Sequence, residues 1–206
     1  MKHSDNSNPR IRQRLAVEAA RIMSEESISD FHAAKCKAAK RLGITGEQNM
    51  PRNIEIELAL KEYQAIFRAE QQTTELGSLR KTAVDIMSLL RDFLPRLVGP
   101  VLRGTADHYS AINIHLFTDS SQTLDWLLIE HHIPFTIDER EYHFNDGELK
   151  RYPLYLIEDE EAKVELTVFP EKGVRQAPKS PLDGKPIQRA SIAEVQELLQ
   201  QEVSVR

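Results

Sequence analysis

The chain has 206 residues, of which 40% are hydrophobic and 29% charged, and its formal net charge is -5. A mean hydropathy of -0.46 is typical of a soluble globular protein and excludes a membrane-spanning or a disordered one. The acidic balance excludes the global basic field that many nucleic-acid-binding proteins carry. The single cysteine, Cys36, cannot form an intramolecular disulfide, and the first ten residues hold no apolar signal segment, so we expect a cytoplasmic protein.

The first half of the chain predicts helices. Apolar residues recur there at spacings of three and four, which indicates amphipathic helices that follow a frayed polar start over residues 1–9. Four helices are expected: one from Pro9, one capped at Ser27 or Ser29 and ended by Gly43, one capped at Asn53, and one from about Ser78 to Phe93 after a polar break at 71–74.

The second half predicts strands with interspersed helices. Residues 110–118 alternate between apolar and polar, with Ile112, Ile114 and Leu116 on one face. Before it we expect a short strand and turn over 96–104, and after it a helix capped at Asp119, Ser120 or Ser121. Three further strands are expected at 134–144, 151–157 and 163–169, joined by turns at 145–147 and 158–161. A proline-rich arm with a turn over 170–186 then leads to a helix that the Ser191–Glu194 capping box opens.

This order predicts the α+β class. We expect a helical module over residues 1–75, a mixed β-sheet flanked by helices over 76–170, and an arm with a C-terminal helix over 171–206.

The segment from Leu97 to Phe117, LVGPVLRGTADHYSAINIHLF, resembles the signature of the nucleotidyltransferase superfamily, especially its minimal members. Their pattern reads h-h-G-S-x-A-R-G-x-A-x-x-x-S-D-I-D-L-h-h, where h is apolar. Six positions agree in register: Gly99, Arg103, Gly104, Ala106, Ser110 and Ile112. The resemblance implies the fold of that superfamily, with a nucleotide or phosphate bound by Gly99, Arg103, Gly104 and Ser110. An ion pair that stabilises the turn is the alternative role for Arg103.

The same segment departs from the family where metal ions would bind. The resemblance implies two carboxylates on the second strand that hold divalent ions, and Ala111 and Asn113 stand there instead. Pro100 replaces the serine that would contact phosphate. Glu165, on a later strand, is the one acidic candidate that remains. Mg²⁺ is therefore expected only if its ligands come from elsewhere.

Other polar residues offer further candidates. Asn113 and His115 share a strand face, and His115 suits acid–base work, metal ligation or a structural hydrogen bond. Asp107 could replace a lost metal ligand, or lie in a solvated turn. On the second helix, Lys35, Lys37, Lys40 and Arg41 concentrate positive charge, which suits nucleic acid or simply forms a solvated helix face.

Three functions are compatible with these residues. The first is a degenerate nucleotidyltransferase-like protein that binds a nucleotide, a phosphate or a protein partner without ordinary transferase activity. The second is an active metal-dependent nucleotidyltransferase whose displaced ligands come from Asp107, Asn113, Glu165 or residues of the helical module. The third is one half of a toxin–antitoxin-like pair of proteins.

Overall fold

The computed structural model describes residues 8–145, 147–158 and 162–204. Within these residues the protein is α+β, with an N-terminal helical region, seven α-helices and one mixed sheet of five strands. The chain divides into two compact units. The first contains the described residues up to 72 together with 181–183, and the second contains 73–180 and the described residues from 184 onward.

The first unit is built from three helices, α1 (Pro9–Glu26), α2 (Phe31–Leu42) and α3 (Asn53–Phe67). Asn8 caps α1 because its side chain accepts a hydrogen bond from the Arg10 amide. Gly43 ends α2 in the left-handed conformation, as the sequence predicts. The core between these helices consists of small and branched apolar side chains, among them Leu15, Ala19, Ile22, Ala34, Ala38, Ile56 and Leu60.

The predicted caps of α2 are wrong. Neither Ser27 nor Ser29 begins this helix; Asp30 does, and its carboxylate accepts a hydrogen bond from the Ala33 amide at 2.6 Å. Ser27 instead follows α1 as its C-terminal cap with φ of 53°. The carboxylate of Asp30 serves as an N-cap as well as a serine hydroxyl does, so residue type alone could not decide between them.

The polar break predicted at 71–74 is also wrong. Helix α4 (Ala69–Leu89) runs through it, and the interruption lies at Arg68, between α3 and α4. The run reads Gln-Gln-Thr-Thr. Glutamine is a good helix former and threonine a weaker one, but neither ends a helix as glycine or proline does. After α4, residues Arg91–Phe93 form a 3-10 turn where the sequence had predicted continued helix.

The second unit holds the sheet, whose first strand is shorter than predicted. Strand β1 (Arg96–Val98) is followed at once by the short helix α5 (Gly99–Arg103), because Pro100 suits a first helical turn and Gly104 ends it at φ of 83°. The remaining elements are β2 (Ile112–Phe117), α6 (Ser121–Glu130), β3 (Thr136–His143), β4 (Leu149–Glu158), β5 (Lys163–Phe169) and α7 (Ile192–Ser204).

The strands lie in the order β1-β2-β5-β4-β3. Strands β2 and β5 are parallel, and all other neighbours are antiparallel. Asn113 of β2 therefore stands opposite Glu165 of β5, although 52 positions separate them in the sequence. This pairing brings together two candidates that the sequence could place only on separate strands.

One face of the sheet is covered by helices. Ile112, Ile114 and Leu116 of β2 lie in a core with residues of α4, α6 and α7, as the alternation predicts. Two predicted caps are confirmed here. Ser120 precedes α6, and Ser191 exchanges hydrogen bonds with Glu194 at the start of α7.

The segment after β5 begins with a 3-10 turn, Glu171–Arg175, and Lys179 and Pro186 later form an isolated bridge. Three predicted features fall wholly or partly outside the described residues. They are the frayed start over 1–7, Asp146 of the turn between β3 and β4, and 159–161 of the turn between β4 and β5. No helix in the described part of the chain is both long enough and apolar enough to cross a membrane.

Candidate functional site

The sheet face opposite the helices carries the candidate site. Alternate residues of a strand share a face, so the pairing register identifies this surface, which we call the polar face. Its residues are Arg96, Val98, Asn113, His115, Phe117, Thr136, Asp138, Arg140, Tyr142, Lys150, Tyr152, Leu154, Leu156, Glu158, Lys163, Glu165, Thr167 and Phe169.

A cluster around Arg140 occupies the end of this face near the start of β2. Nη1 of Arg140 donates to Oε2 of Glu165 at 2.7 Å and to Oδ1 of Asn113 at 3.3 Å. Nδ2 of Asn113 donates to the Ala111 carbonyl at 2.9 Å. Burial alone would lower the pKa of Arg140, but the hydrogen bond and charge of Glu165 outweigh it, so that pKa is raised. The cluster is a charge-compensated pair with an amide beside it.

Gly99 packs against the same cluster. It has φ of 75°, and a Cβ placed on it would lie 3.2 Å from Nδ2 of Asn113. A side chain at this position would therefore meet both the strain of the left-handed conformation and the Asn113 amide. Glycine is needed here for the close approach of β1 and β2.

His115 is only 1% exposed and lies within a chain of hydrogen bonds. Nε of Arg189 can only donate, so Nδ1 of His115 accepts its hydrogen bond at 3.2 Å. The neutral ring then carries its proton on Nε2 and donates to the Tyr142 hydroxyl at 3.3 Å, and that hydroxyl shares a hydrogen bond of 3.0 Å with Oγ1 of Thr167. Both ring nitrogens of His115 thus have hydrogen-bond partners.

The electrostatic surroundings of His115 agree with a neutral ring. Burial, followed by the positive charges of Arg189 and Arg140, places its pKa well below 6.5. Protonation would add a charge to a group that already faces two guanidinium groups. His115 is therefore uncharged at neutral pH.

Arg189 approaches this chain from the segment before α7. Its Nη1 donates to the carbonyls of Gly173 at 2.9 Å and Val174 at 3.4 Å. The centre of its guanidinium lies 4.9 Å from the ring centroid of Phe117 and 5.4 Å from that of Phe169. Burial lowers the pKa of Arg189 to about 10. Its Nη2 is buried, and the described residues provide no hydrogen-bond partner for it.

The other predicted site residues lie on the connection between β1 and β2. Arg103 is the last residue of α5 and Gly104 is its cap. Ser110 and Asp107 bind one another: the serine hydroxyl donates to the Asp107 carboxylate at 2.8 Å and accepts from the Asp107 amide at 2.9 Å. The Asp107 carboxylate also accepts from the Tyr109 amide. These two side chains hold the turn that leads into β2.

No metal centre is evident in the part of the chain that the structure describes. Nowhere in it do three or more His, Cys, Asp or Glu side chains come together in a group that could hold a metal ion. Glu165, the remaining acidic candidate, has the Arg140 guanidinium at hydrogen-bonding distance. A divalent ion at Glu165 would have to displace a cation that is part of the protein.

Part of the basic charge on α2 is neutralised within the first unit. Lys37 pairs with Glu26, and Arg41 pairs with Glu26 at 2.7 Å and with Glu18 at 3.3 Å. Lys40 is exposed, and burial lowers the pKa of the half-buried Lys35. Two of the four cations in the predicted basic patch thus face acidic residues of α1.

Sequence reasoning missed Arg140, Tyr142 and Arg189. The alternation of β3 could have placed Arg140 and Tyr142 on one face, but only the pairing of four strands shows that this face meets Asn113 and Glu165. Arg189 has no local signal, because its partners lie between 15 and 74 positions away.

A scan of the sequence against protein-family models and a search of curated proteins both find no match.

Proposed function

We propose that this chain is a degenerate nucleotidyltransferase-like protein that binds a nucleotide or phosphate and lacks ordinary transferase chemistry. One observation carries the proposal. Where the resemblance implies divalent metal ions, the Arg140 guanidinium is hydrogen-bonded to both Asn113 and Glu165. An internal cation takes the part that a metal would otherwise play in balancing the charge of Glu165.

The chemistry of the ligands argues against metal-assisted transfer. Hard divalent ions need several oxygen ligands, with carboxylates among them, and two such ions need more than one carboxylate. Ala111 has no ligand atom, the Asn113 amide is neutral, and Glu165 is already paired. Because these ligands are missing or paired at several positions together, no single residue from elsewhere in the chain restores the set of metal ligands.

The order of elements supports the nucleotidyltransferase-like part of the proposal. Helix α4 precedes β1, the short α5 follows, and β2 leads into α6. The six positions that carry the resemblance extend from the start of α5 to the start of β2. Both features, and the mixed sheet with helices on one face, agree with the fold that the resemblance implies.

The charge of the polar face supports a phosphate-containing ligand. Three arginines lie on this face: Arg96 and Arg140 come from the two edge strands, and Arg189 comes from the segment before α7. Glu165 is the one carboxylate that pairs with any of them. Guanidinium groups bind phosphate through paired hydrogen bonds and keep their charge at any physiological pH. Such a face attracts phosphate without the help of a metal.

The first test measures nucleotide binding with and without a divalent ion. Thermal unfolding against a panel of nucleoside triphosphates is run in EDTA and again in Mg²⁺. We expect one nucleotide or more to raise the melting temperature by the same amount in both. A ligand at one hundred times its Kd adds about 2.7 kcal/mol to the free energy of unfolding. A shift that requires Mg²⁺, or turnover, contradicts the loss of metal chemistry, and a flat panel contradicts the nucleotide ligand.

The second test rebuilds the metal site. The triple variant Ala111→Asp, Asn113→Asp, Arg140→Ala adds two carboxylates and removes the internal cation, and Mn²⁺ binding is followed by calorimetry. We expect Mn²⁺ to bind the triple variant and not the wild type. The matched control carries the two aspartates but retains Arg140, and it should bind Mn²⁺ more weakly. Equal binding by the control would mean that Arg140 does not oppose the metal.

A further inference from the structure

We propose that Arg189, with Arg96 beside it, forms a binding subsite for a tetrahedral oxyanion on the polar face. The inference rests on the proposed function and deepens it, because it names the group that receives a phosphate. It depends on the balance of charge around Arg189, on the hydrogen bonds that its guanidinium makes, and on the contacts that hold it in place.

Arg189 and Arg96 differ from the other cations of this face in whether a carboxylate pairs with them. Arg140 pairs with Glu165, Lys163 with Glu158, and Lys150 with Glu148. Across the described residues, Arg96 and Arg189 form no ion pair with a carboxylate. The remaining acidic residue of the face, Asp138, is exposed on β3, three strands away from β2. The positive charge of Arg189 is therefore not balanced by an ion pair, and that of Arg96 has only the carboxylate of Glu194 nearby, beyond ion-pair distance.

Arg96 adds its charge from β1. It stands opposite His115 in the strand pairing, and its Nη1 donates to the Pro95 carbonyl at 2.9 Å. Its charge is near enough to contribute to the lowered pKa of Arg189, and it also lowers the pKa of the exposed Glu194. Two guanidinium groups that repel one another form a natural site for an anion between them.

The hydrogen bonds of Arg189 leave its charge unneutralised. Every acceptor that it uses is neutral: a ring nitrogen of His115 and the backbone carbonyls of Gly173 and Val174. Nη2 is buried without a partner among the described residues. A buried donor without an acceptor costs free energy, and an anionic oxygen would recover it. The aromatic rings of Phe117 and Phe169 beneath the guanidinium keep water away and so strengthen the attraction.

The backbone around Arg189 is held in place in advance. The next residue, Ala190, exchanges two backbone hydrogen bonds with Leu97 of β1, at 2.8 and 2.9 Å. On the other side, Gly173 packs so closely on Phe169 that a Cβ would lie 3.1 Å from it. Fixing the guanidinium before the ligand arrives lowers the entropy that binding costs.

These features select the class of ligand. The planar guanidinium fork matches the oxygen spacing of phosphate and sulfate. Inorganic phosphate, sulfate and the terminal phosphate of a nucleotide share this chemistry. The competing explanation is that Arg189 only anchors residues 171–175 through their carbonyls.

The direct experiment follows the arginine Nε–H resonances of the wild-type protein by NMR during titration with inorganic phosphate, with sodium chloride at equal ionic strength as control. We expect a saturable shift at Arg189, a smaller one at Arg96 and none at Arg151, which pairs with Glu141 on the edge of the sheet. The absence of a saturable shift at Arg189 overturns the subsite, and this readout does not depend on the folding of a variant.

Variants then assign the binding energy. We expect Arg189→Gln to raise the Kd of phosphate at least tenfold, and Arg189→Lys to raise it less because the charge remains. Arg151→Gln is the matched control and should leave Kd unchanged. If Arg189→Gln binds phosphate as the wild type does, the subsite is wrong while metal-independent nucleotide binding still stands. If the wild type binds neither phosphate nor nucleotide, the proposed function fails as well.

A competition experiment distinguishes the sources of the anion. ATP in EDTA is added to the phosphate-saturated wild type while the Arg189 resonance is observed. Displacement of phosphate means that the subsite takes the phosphate of a nucleotide. An unchanged Arg189 resonance, with ATP shown to bind, assigns the subsite to the free oxyanion.

Discussion

Arg140 and Arg189 are two partly buried guanidinium groups on the same face of one sheet, and they differ in how their charge is balanced. Burial would lower the pKa of both. At Arg140 the charge and hydrogen bond of Glu165 reverse that effect, and the pKa is raised. At Arg189 no carboxylate does so, and the pKa falls to about 10.

The difference shows which of the two clusters has its charges balanced within the protein and which does not. In the Arg140 cluster the charges of Arg140 and Glu165 balance one another within the protein. The Arg189 cluster retains an unbalanced charge and an unpaired donor, both of which a ligand could satisfy. Functional sites often hold such unfavourable arrangements, because the rest of the fold maintains them.

The largest expected effect comes from removing the aromatic support of Arg189. Phe169→Ala deletes a ring that is 1% exposed and lies beneath the guanidinium. We expect the free energy of unfolding, from urea denaturation, to fall by about 3–5 kcal/mol, since a large buried ring leaves a cavity. The matched control, Phe67→Ala, removes a ring that is 68% exposed and should change little.

The same variant separates the two clusters. Arg140 has its own partners, so its Nε–H resonance should stay close to the wild-type position, whereas that of Arg189 should move. Equal displacement of both resonances would show that the two clusters are coupled.

A medium effect is expected from breaking the balanced pair. Glu165→Gln leaves Arg140 without a carboxylate, and we expect the free energy of unfolding to fall by about 1–2 kcal/mol. The value is moderate because the side chains of Arg140 and Glu165 are 35% and 24% exposed, which screens their charges.

The control for this pair is Glu141→Gln, which breaks the Glu141–Arg151 pair on an exposed strand. Its stability should change much less than that of Glu165→Gln. If the two variants lose the same stability, the Arg140 cluster contributes no more than an ordinary surface ion pair.

The smallest expected effect appears in the dependence of stability on pH. The pKa of His115 is lowered in the folded protein, so the folded state resists a proton that the unfolded chain accepts near pH 6.5. The stability that the neutral His115 contributes is fully present above that pH. It is lost as the pH falls toward the lowered pKa of His115 in the folded protein, at up to about 1.4 kcal/mol per pH unit.

Urea denaturation of the wild type and His115→Gln between pH 7.5 and 5.5 measures this slope. The variant should lose less stability on acidification than the wild type, whatever its stability at pH 7.5. His131→Gln alters an exposed histidine after α6 and should keep the wild-type slope. Parallel curves for the wild type and His115→Gln would mean that His115 is not held neutral by the fold.

Residue patterns within one segment predicted much of the architecture. The helical first half, the alternating strand β2, the Gly43 stop and the Ser191–Glu194 box are all local features, and each appears in the structure. The errors were local as well. Asp30 competed with two serines as a cap, and a polar run without glycine or proline was interpreted as a break.

The sequence by itself determined the α+β class and the chemistry of single positions: Ala111 and Asn113 lack a carboxylate wherever the chain folds. Only the tertiary structure decided that Arg140 meets Glu165 and that Arg189 meets His115. The reason is physical. These contacts depend on the antiparallel pairings of β3 with β4 and of β4 with β5, and on a return of the chain after β5 to β1, which join residues 25 to 74 positions apart. Local periodicity determines the face of a side chain, whereas long-range pairing determines which charges share that face.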